Sequence, residues 1–208
     1  RIAFEAMLMT HTQHEALNAS HCELVALNAS PFDTLWQDRP APPAGAIREM
    51  PVEISGESST DKRQRVAAIL AEQHADYLAI TQPDNIAWLL NVRGSDIPTS
   101  PVPNSFALLS RDGAVTWFVT PEKTRALPPA LLESLTLAPE SDFLSQSQQL
   151  CGGKRVMVDA DSAPVALRFA VEPQGEILWH ADPITAIKAH KNPIELAGYR
   201  DSHHQDGV

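Results

Sequence analysis

The chain has few of the residues that mark specialised classes of protein. Its 208 residues include only two cysteines, Cys22 and Cys151, which lie far apart and outside any CxxC motif. We therefore expect two free thiols rather than a disulfide framework or a cysteine metal site. Aromatic residues make up 6% of the chain, so aliphatic side chains must fill most of the core. No apolar run reaches the roughly 18 residues that a membrane span needs, and the first residues show no signal-peptide pattern. These absences predict a cytoplasmic protein without a membrane partner.

Basic residues are also scarce. Sixteen Lys and Arg stand against 26 Asp and Glu, which gives a formal net charge of −10. Nucleic acids and anionic membranes are bound by clustered Lys and Arg, so the acidic balance argues against both partners.

Proline, in contrast, is abundant and concentrated in one stretch. Residues 41–57 contain three of the 17 prolines and two of the nine glycines, directly after Pro40. This composition predicts an extended, stiff linker, and therefore a domain boundary. The chain then divides into residues 1–40, the linker 41–57, a second unit 58–190 and a final segment 191–208. Because it opens with Arg1 and closes inside a helical pattern, we expect it to be a piece of a longer protein.

The second unit alternates helices and strands. Ser58 and Asp61 form a capping pattern that predicts a helix with a buried stripe. Its cations are predicted to face water: Lys62, Arg63 and Arg65. Residues 105–110 and 114–120 are predicted to form a hairpin around Asp112-Gly113. Further strands are predicted at 77–81, 155–158 and 176–179. The order predicts an α/β fold with a mixed β-sheet flanked by helices.

Known catalytic and metal-binding motifs are missing. The chain contains no G-x-S-x-G elbow, no phosphate loop and no HExxH. His11 and His14 share a helical face, but no third ligand follows, so surface histidines are the better interpretation. Three polar residues near the end of the chain are interpreted as solvated: His203, His204 and Asp206. The sequence predicts no catalytic residue and no metal ligand in this chain.

The densest functional signal lies in residues 82–96, QPDNIAWLLNVRGSD. A short apolar helix anchored by Trp88, Leu89 and Leu90 is predicted to present the polar loop that follows. Two interpretations of Arg93 and Asp96 stay open. They form a salt bridge that fixes the loop, or Arg93 faces substrate and holds a carboxylate or a peptide carbonyl.

Three stretches resemble the aminopeptidase P family, the Xaa-Pro aminopeptidases, in its long three-domain form. Residues 84–96, with Pro101 and 105–107, resemble the D-x-I-A-W-L-x-N-x-R-G-x-D segment. Residues 33–40 resemble a D-x-x-W-x-D-R-P element at the exit of domain I. Residues 188–207 resemble a K-x-x-K-N-x-x-E-x-x-G-x-R-x-x-H-x-x-D-G entry into the catalytic domain. Thr99 and Ser100 depart from the family pattern, where bulkier residues stand.

This resemblance implies a creatinase/prolidase N-terminal domain-like fold for residues 58–190. Residues 1–40 would be the C-terminal part of a preceding creatinase-like domain, and residues 191–208 the start of a truncated pita-bread catalytic domain. The family hydrolyses the peptide bond before a proline in second position, using two divalent metal ions, Mn or Zn, held by a two-Asp, one-His, two-Glu set. No residue here can be assigned to that set.

The resemblance therefore implies a non-catalytic region of a metal-dependent Xaa-Pro aminopeptidase, inactive alone, that shapes substrate access and carries homodimer contacts. Arg93 and Asp96 are its candidate substrate-binding residues. The alternatives are a stand-alone binding or assembly module of the same fold, or the equivalent part of a prolidase- or creatinase-type hydrolase.

Overall fold

The computed structural model describes residues 1–207, and Val208 lies outside the described residues. Its strands are β1 (Ile2–Phe4), β2 (Leu24–Ala26), β3 (Arg48–Glu49), β4 (Tyr77–Ile80), β5 (Val92–Arg93), β6 (Phe106–Ser110), β7 (Val115–Phe118), β8 (Thr136–Ala138), β9 (Arg155–Val158) and β10 (Glu176–Trp179). Its helices are α1 (His11–Asn18), α2 (Pro31–Leu35), α3 (Val52–Ser55), α4 (Ser59–Glu72), α5 (Pro83–Leu89), α6 (Pro129–Glu133), α7 (Phe143–Leu150), α8 (Val165–Val171), α9 (Pro183–Ala189) and α10 (Pro193–Asp206), with 3₁₀ turns at Pro121–Thr124 and Glu140–Asp142.

A six-stranded mixed sheet organises the second unit, in the order β10-β9-β4-β6-β7-β8. β10, β9 and β4 run parallel, β6 is antiparallel to both β4 and β7, and β8 is parallel to β7. The predicted hairpin is confirmed, because β6 pairs with β7 around Gly113, whose φ of 88° suits glycine. The predicted α/β class with a mixed sheet is confirmed as well.

The core occupies both faces of this sheet. Trp117 and Leu78 belong to one buried cluster, with α4 and α5, whereas Phe118 and Val156 belong to the other, with α7 and α8. Adjacent strand residues point to opposite faces, so neighbours such as Trp117 and Phe118 fill different clusters. No helix within residues 1–207 combines the length and the apolar character that crossing a membrane requires.

The Pro-rich stretch 41–57 carries a short strand and one helical turn. β3 pairs antiparallel with β5, and Ile47 is fully buried. The Ile47 N–H donates to the Lys123 carbonyl at 2.8 Å. The end of the stretch therefore packs on the second unit, and the division into domains at this stretch stays a proposal.

Helix α4 begins as its capping pattern predicts, because the Ser58 hydroxyl accepts a hydrogen bond from the Asp61 N–H. Val66 and Leu70 are fully buried. The prediction that Lys62 and Arg63 face water is wrong, since 1% and 6% of their surfaces are exposed.

The Lys62 ammonium is buried, with two hydrogen-bond acceptors and an aromatic ring around it. Its Nζ donates to the Asn91 side-chain oxygen at 2.6 Å and to the Trp88 carbonyl at 3.1 Å. It also lies 4.3 Å from the centre of the Trp88 ring, in cation–π range. Burial lowers the pKa of Lys62 to about 8, against the opposing influence of Glu195 and Glu57. Lys62 therefore joins α4 to the end of α5.

A second buried lysine, Lys123, forms an ion pair. Its Nζ lies 2.8 Å from the Asp96 carboxylate, and both side chains are almost fully shielded from solvent. It also reaches the Asn104 carbonyl at 3.2 Å and Glu140 at 3.3 Å. Removing one partner of such a pair leaves an uncompensated charge in a medium that solvates it poorly.

We expect Lys123→Met to destabilise the protein by about 3–5 kcal/mol, because Asp96 would stay buried without its counter-ion. Urea unfolding monitored by circular dichroism measures this. Arg125→Met is the matched control, since Arg125 and Glu122 form an exposed pair with 77% and 54% of their side chains accessible. Its expected cost is about 0–1 kcal/mol. Equal costs for the two variants would contradict the buried pair.

We also expect a pH-dependent contribution of Lys62 to stability. A lysine whose folded pKa is depressed binds fewer protons in the folded than in the unfolded state between the two pKa values. The free energy of unfolding of the wild type, minus that of Lys62→Met, should therefore rise as pH increases from about 8 to the ordinary 10.5, and stay flat below this window. Burial raises the pKa of Cys151 to about 12, which acts in the opposite direction but cancels in the subtraction. Lys154→Met, at an exposed lysine, is the control, and a difference that stays constant across the window would contradict the assignment.

Candidate functional site

The site is built on α5, whose apolar residues anchor it in the core. Pro83 occupies the first turn, where its missing N–H costs nothing. Ile86, Leu89 and Leu90 are fully buried and Trp88 is 8% exposed, so the predicted anchors are confirmed.

The turn after α5 depends on Asn91. Its φ of 53° lies in the left-handed region, which Asn adopts more readily than most residues. Its side-chain NH₂ donates to the Glu57 carbonyl at 2.8 Å, while its side-chain oxygen accepts from Lys62. These bonds direct the chain into β5, where β3 pairs with it.

Gly94 lets the Pro-rich segment approach the loop. A Cβ at this position would lie 2.7 Å from the Pro103 nitrogen, which is too close for any other residue without movement. The Gly94 N–H donates to the Pro101 carbonyl at 3.0 Å. The glycine of the R-G part of the motif is therefore required by packing of the backbone.

Helices α9 and α10 bring the third motif stretch to the same place. The Lys188 ammonium binds the Asp84 carboxylate and, at 2.7 Å, the side-chain oxygen of Asn85. Asn192 caps α10 in a reciprocal box with Glu195, and its NH₂ reaches the Ser55 carbonyl at 2.8 Å. Two stretches about 100 residues apart in sequence are thus bonded to each other.

Asn85 lies at the centre of this junction. It is fully buried, and its NH₂ donates to the Asp182 carboxylate at 2.8 Å and to the Thr185 hydroxyl at 2.9 Å. Asp182 caps α9 by accepting from the Ile184 N–H at 2.8 Å. Burial raises the pKa of Asp182, and the hydrogen bonds from Asn85 and Ile184 oppose that rise. The amide of Asn85 therefore links Lys188 to Asp182 across α5.

A cleft of about 680 Å³ opens between the α5 loop and α10. On the α5 side it is lined by Lys62, Trp88 and Arg93, and on the α10 side by Lys191, Glu195 and Tyr199. The cleft is amphipathic, with cations and carboxylates around an indole and a phenol. Such a surface suits a short peptide better than a purely apolar ligand.

Arg93 and Asp96 occupy different places. Arg93 lines the cleft, and its Nη1 donates to the carbonyls of Val92 at 2.8 Å and Ala87 at 3.3 Å. Within the described part of the chain, no acceptor is bonded to its Nε and Nη2. Burial, with the nearby Arg48 cation, lowers the pKa of Arg93.

Asp96 instead accepts hydrogen bonds from the Lys123 ammonium and from the Asn104 N–H, each at 2.8 Å, inside the protein. Arg93 thus keeps two donor nitrogens, Nε and Nη2, for a ligand, whereas Asp96 fixes the loop.

Several site residues had no functional signal in the sequence. Lys62 and Asn85 were not candidates, because a charged or amide side chain inside a helical pattern is usually solvated. Residues 33–40 lie outside the cleft, where Arg39 pairs with Asp33 and stacks 6.0 Å from the Trp36 ring. Within residues 1–207, no group of three or more His, Cys, Asp or Glu is placed to hold a metal ion.

Comparison with known proteins identifies the fold and the family. The Creatinase/Prolidase N-terminal domain family matches residues 38–195. A probable Xaa-Pro aminopeptidase P of Laccaria bicolor is 29% identical over 218 residues, which cover 100% of this chain and 34% of that protein. The corresponding protein of Arthroderma benhamiae is 30% identical over 203 residues, covering 93% and 29%. The chain thus spans about a third of the length of these relatives.

A solved structure gives the same fold. The X-prolyl aminopeptidase of Caenorhabditis elegans, described as a cytosolic enzyme with a di-nuclear active site, superposes with a TM-score of 0.84 at 22% identity. The match covers 97% of this chain and 34% of that one. The expected creatinase-like fold is therefore confirmed. The chain belongs to the creatinase/prolidase N-terminal domain family and corresponds to the N-terminal, creatinase-like portion of the Xaa-Pro aminopeptidases.

Proposed function

We propose that this chain is the non-catalytic region of a metal-dependent enzyme that removes the N-terminal residue preceding a proline. Its role is to form one wall of the route by which peptides reach a catalytic domain that this chain does not contain. The metal ions, Mn or Zn, would be bound by that domain. The di-nuclear active site described for the C. elegans enzyme supports this division.

The observation that carries the proposal is the meeting of two motif stretches around the cleft. Lys188 bonds to Asp84 and Asn85, and Asn192 bonds to Ser55 while it caps α10. Helix α5, which presents the loop, is therefore fixed against α9, and α3 is fixed against the start of α10, the helix that, in the resemblance, opens the catalytic domain. A loop held at such a junction can restrict what enters between the two domains.

Arg93 is the proposed ligand-binding residue in this wall. Its Nη1 is used by the backbone, which orients the guanidinium, and the Nε and Nη2 donors form an edge that matches a carboxylate. The proposed ligand is a peptide with proline in second position, held through a carboxylate or a carbonyl. Asp96, bonded to Lys123, supports the loop and contributes indirectly.

The proposal extends to assembly and location. A homodimer is proposed through this region, and a cytoplasmic enzyme is proposed because the C. elegans structure is described as cytosolic. Sedimentation equilibrium of the chain measures the first of these.

We expect the purified 208-residue chain to leave Xaa-Pro peptides intact when Mn²⁺ or Zn²⁺ is added, because no described residues form a metal centre. Release of the first amino acid, followed by chromatography, measures this, and a complete Xaa-Pro aminopeptidase serves as the positive control. Cleavage that elutes with the chain through successive columns would contradict the proposal.

We expect Arg93 to bind carboxylates weakly in the isolated chain. A tripeptide with proline in second position should shift the Arg93 Nε–H resonance in ¹⁵N NMR titrations, with a dissociation constant on the order of millimolar, as for a single exposed carboxylate contact. Followed through the backbone amides of the residues that line the cleft, the same titration should give a dissociation constant at least about tenfold higher for Arg93→Lys, because a lysine cannot form the two-donor edge.

The matched control is Arg125→Lys, an exposed arginine that does not line the cleft. It should bind the peptide as the wild type does. Equal binding by the wild type and Arg93→Lys would contradict the role of Arg93. It would not bear on the family assignment or on the expected inability of the chain to cleave Xaa-Pro peptides.

A further inference from the structure

A second group of residues, remote from the cleft lining, joins the N-terminal segment to the sheet. Residues 6–12 run beside residues 160–166 and exchange backbone hydrogen bonds with them. Val165 and Ala166 donate to the carbonyls of Met9 at 2.8 Å and Ala6 at 3.0 Å. The His11 N–H donates in return to the Ala163 carbonyl at 3.2 Å. α1 therefore rests on α8 and the neighbouring edge of the sheet.

His11 is the centre of this contact. Its ring stacks on the Trp179 ring of β10, with centroids 3.8 Å apart and planes inclined by only 4°. Its Nδ1 is buried and has no hydrogen-bond partner within the described residues. A neutral imidazole tolerates an unpaired lone pair there at modest cost, whereas a protonated ring would place a charged N–H with no acceptor.

The next turn of α1 adds a second imidazole to the contact. His14 lies between Phe4 at 5.4 Å and Phe169 at 5.8 Å, measured between ring centres. Its side chain is 13% exposed. The two histidines that share a helical face are therefore packed on aromatic rings from both units.

Charged groups surround His11 on both sides. They are Arg168 on α8, Glu172 directly after α8, and Glu15 and His14 on α1. In sequence, His180 follows Trp179. Arg168 binds Glu15 at 2.8 Å and Glu172 at 3.0 Å, so much of the local negative charge is already paired. Burial first, and then Arg168, lower the pKa of His11, although the two glutamates act against them.

We propose that His11 is a pH-dependent latch: neutral, it holds residues 6–18 on α8 and β10, and protonated, it releases them. The geometry that supports this is the face-to-face stack on Trp179 together with the buried, unpartnered Nδ1. The ligand of the latch is a single proton, and the part that moves is the N-terminal segment.

The direction follows from proton linkage. When the docked pKa of a histidine is depressed, the docked state binds fewer protons than the released state between the two pKa values. Docking is then strongest above about pH 6.5, the value of a solvated imidazole, and weakens as pH falls below it, until His11 is protonated in both states. A cation–π attraction between a protonated His11 and Trp179 would act in the opposite sense.

The test combines two NMR measurements on the 208-residue chain. A histidine titration gives the pKa of His11, expected below about 6.5. Hydrogen exchange gives protection factors for the Val165 and Ala166 amides, which donate to the carbonyls of Met9 and Ala6, respectively. From about pH 7.5 to about pH 5, these factors should fall by up to about tenfold per pH unit, the limit for one proton. The Leu78 amide in β4 reports the stability of the sheet.

The variants are His11→Phe and the matched control His14→Phe. His11→Phe keeps an aromatic ring on Trp179 but cannot titrate, so protection of Val165 and Ala166 should lose its pH dependence. His14→Phe should keep it. A His11 pKa at or above about 6.5 would overturn the latch. So would an equal fall of protection in the wild type and His11→Phe. If His11→Phe does not fold, the wild-type pKa decides alone.

Discussion

One buried amide holds the junction on which the cleft depends. Asn85 accepts from Lys188 at 2.7 Å and donates to Asp182 at 2.8 Å, and it is fully shielded from water. A polar atom that is buried without a hydrogen-bond partner destabilises the fold by the free energy lost when water is removed from it. Asn85 avoids this penalty because its side-chain oxygen and its NH₂ are both hydrogen-bonded. α5 and α9 therefore keep one relative position, and the loop after α5 faces the start of α10.

The cations around this junction are of two kinds: those whose donors are bonded inside the protein, and those with donors left to bind a ligand. The Lys62 ammonium donates to the Trp88 carbonyl and to the Asn91 side-chain oxygen, and Lys123 is paired with Asp96. Arg93 is different, because the backbone uses only its Nη1 and leaves an edge of the guanidinium toward the cleft. This contrast separates a structural cation from one that can bind a ligand, and it is why the proposed ligand-binding role falls to Arg93.

Local sequence patterns predicted the helices and the hairpin, whereas contacts between residues far apart in sequence determine which side chains meet at the cleft. The cap at Ser58, the anchors of α5 and the Asp112-Gly113 hairpin are set by neighbours in sequence. Lys62 was misjudged, although it lies four and eight residues before Val66 and Leu70, on their buried face. No spacing rule could connect Asn85 to Lys188, because 103 residues separate them. The resemblance marked both stretches, but only the fold shows that they touch.

The central claim is that the α5 motif and the α9–α10 motif form one coupled unit. A double-mutant cycle with Asn85→Ala and Lys188→Met measures this coupling through the free energy of unfolding. The account predicts an interaction energy of about 0.5–3 kcal/mol between the two sites. The same cycle between Arg125→Met and Lys188→Met gives the value for residues that are not bonded to each other. Additivity of the Asn85 and Lys188 variants to within about 0.3–0.5 kcal/mol would contradict the claim.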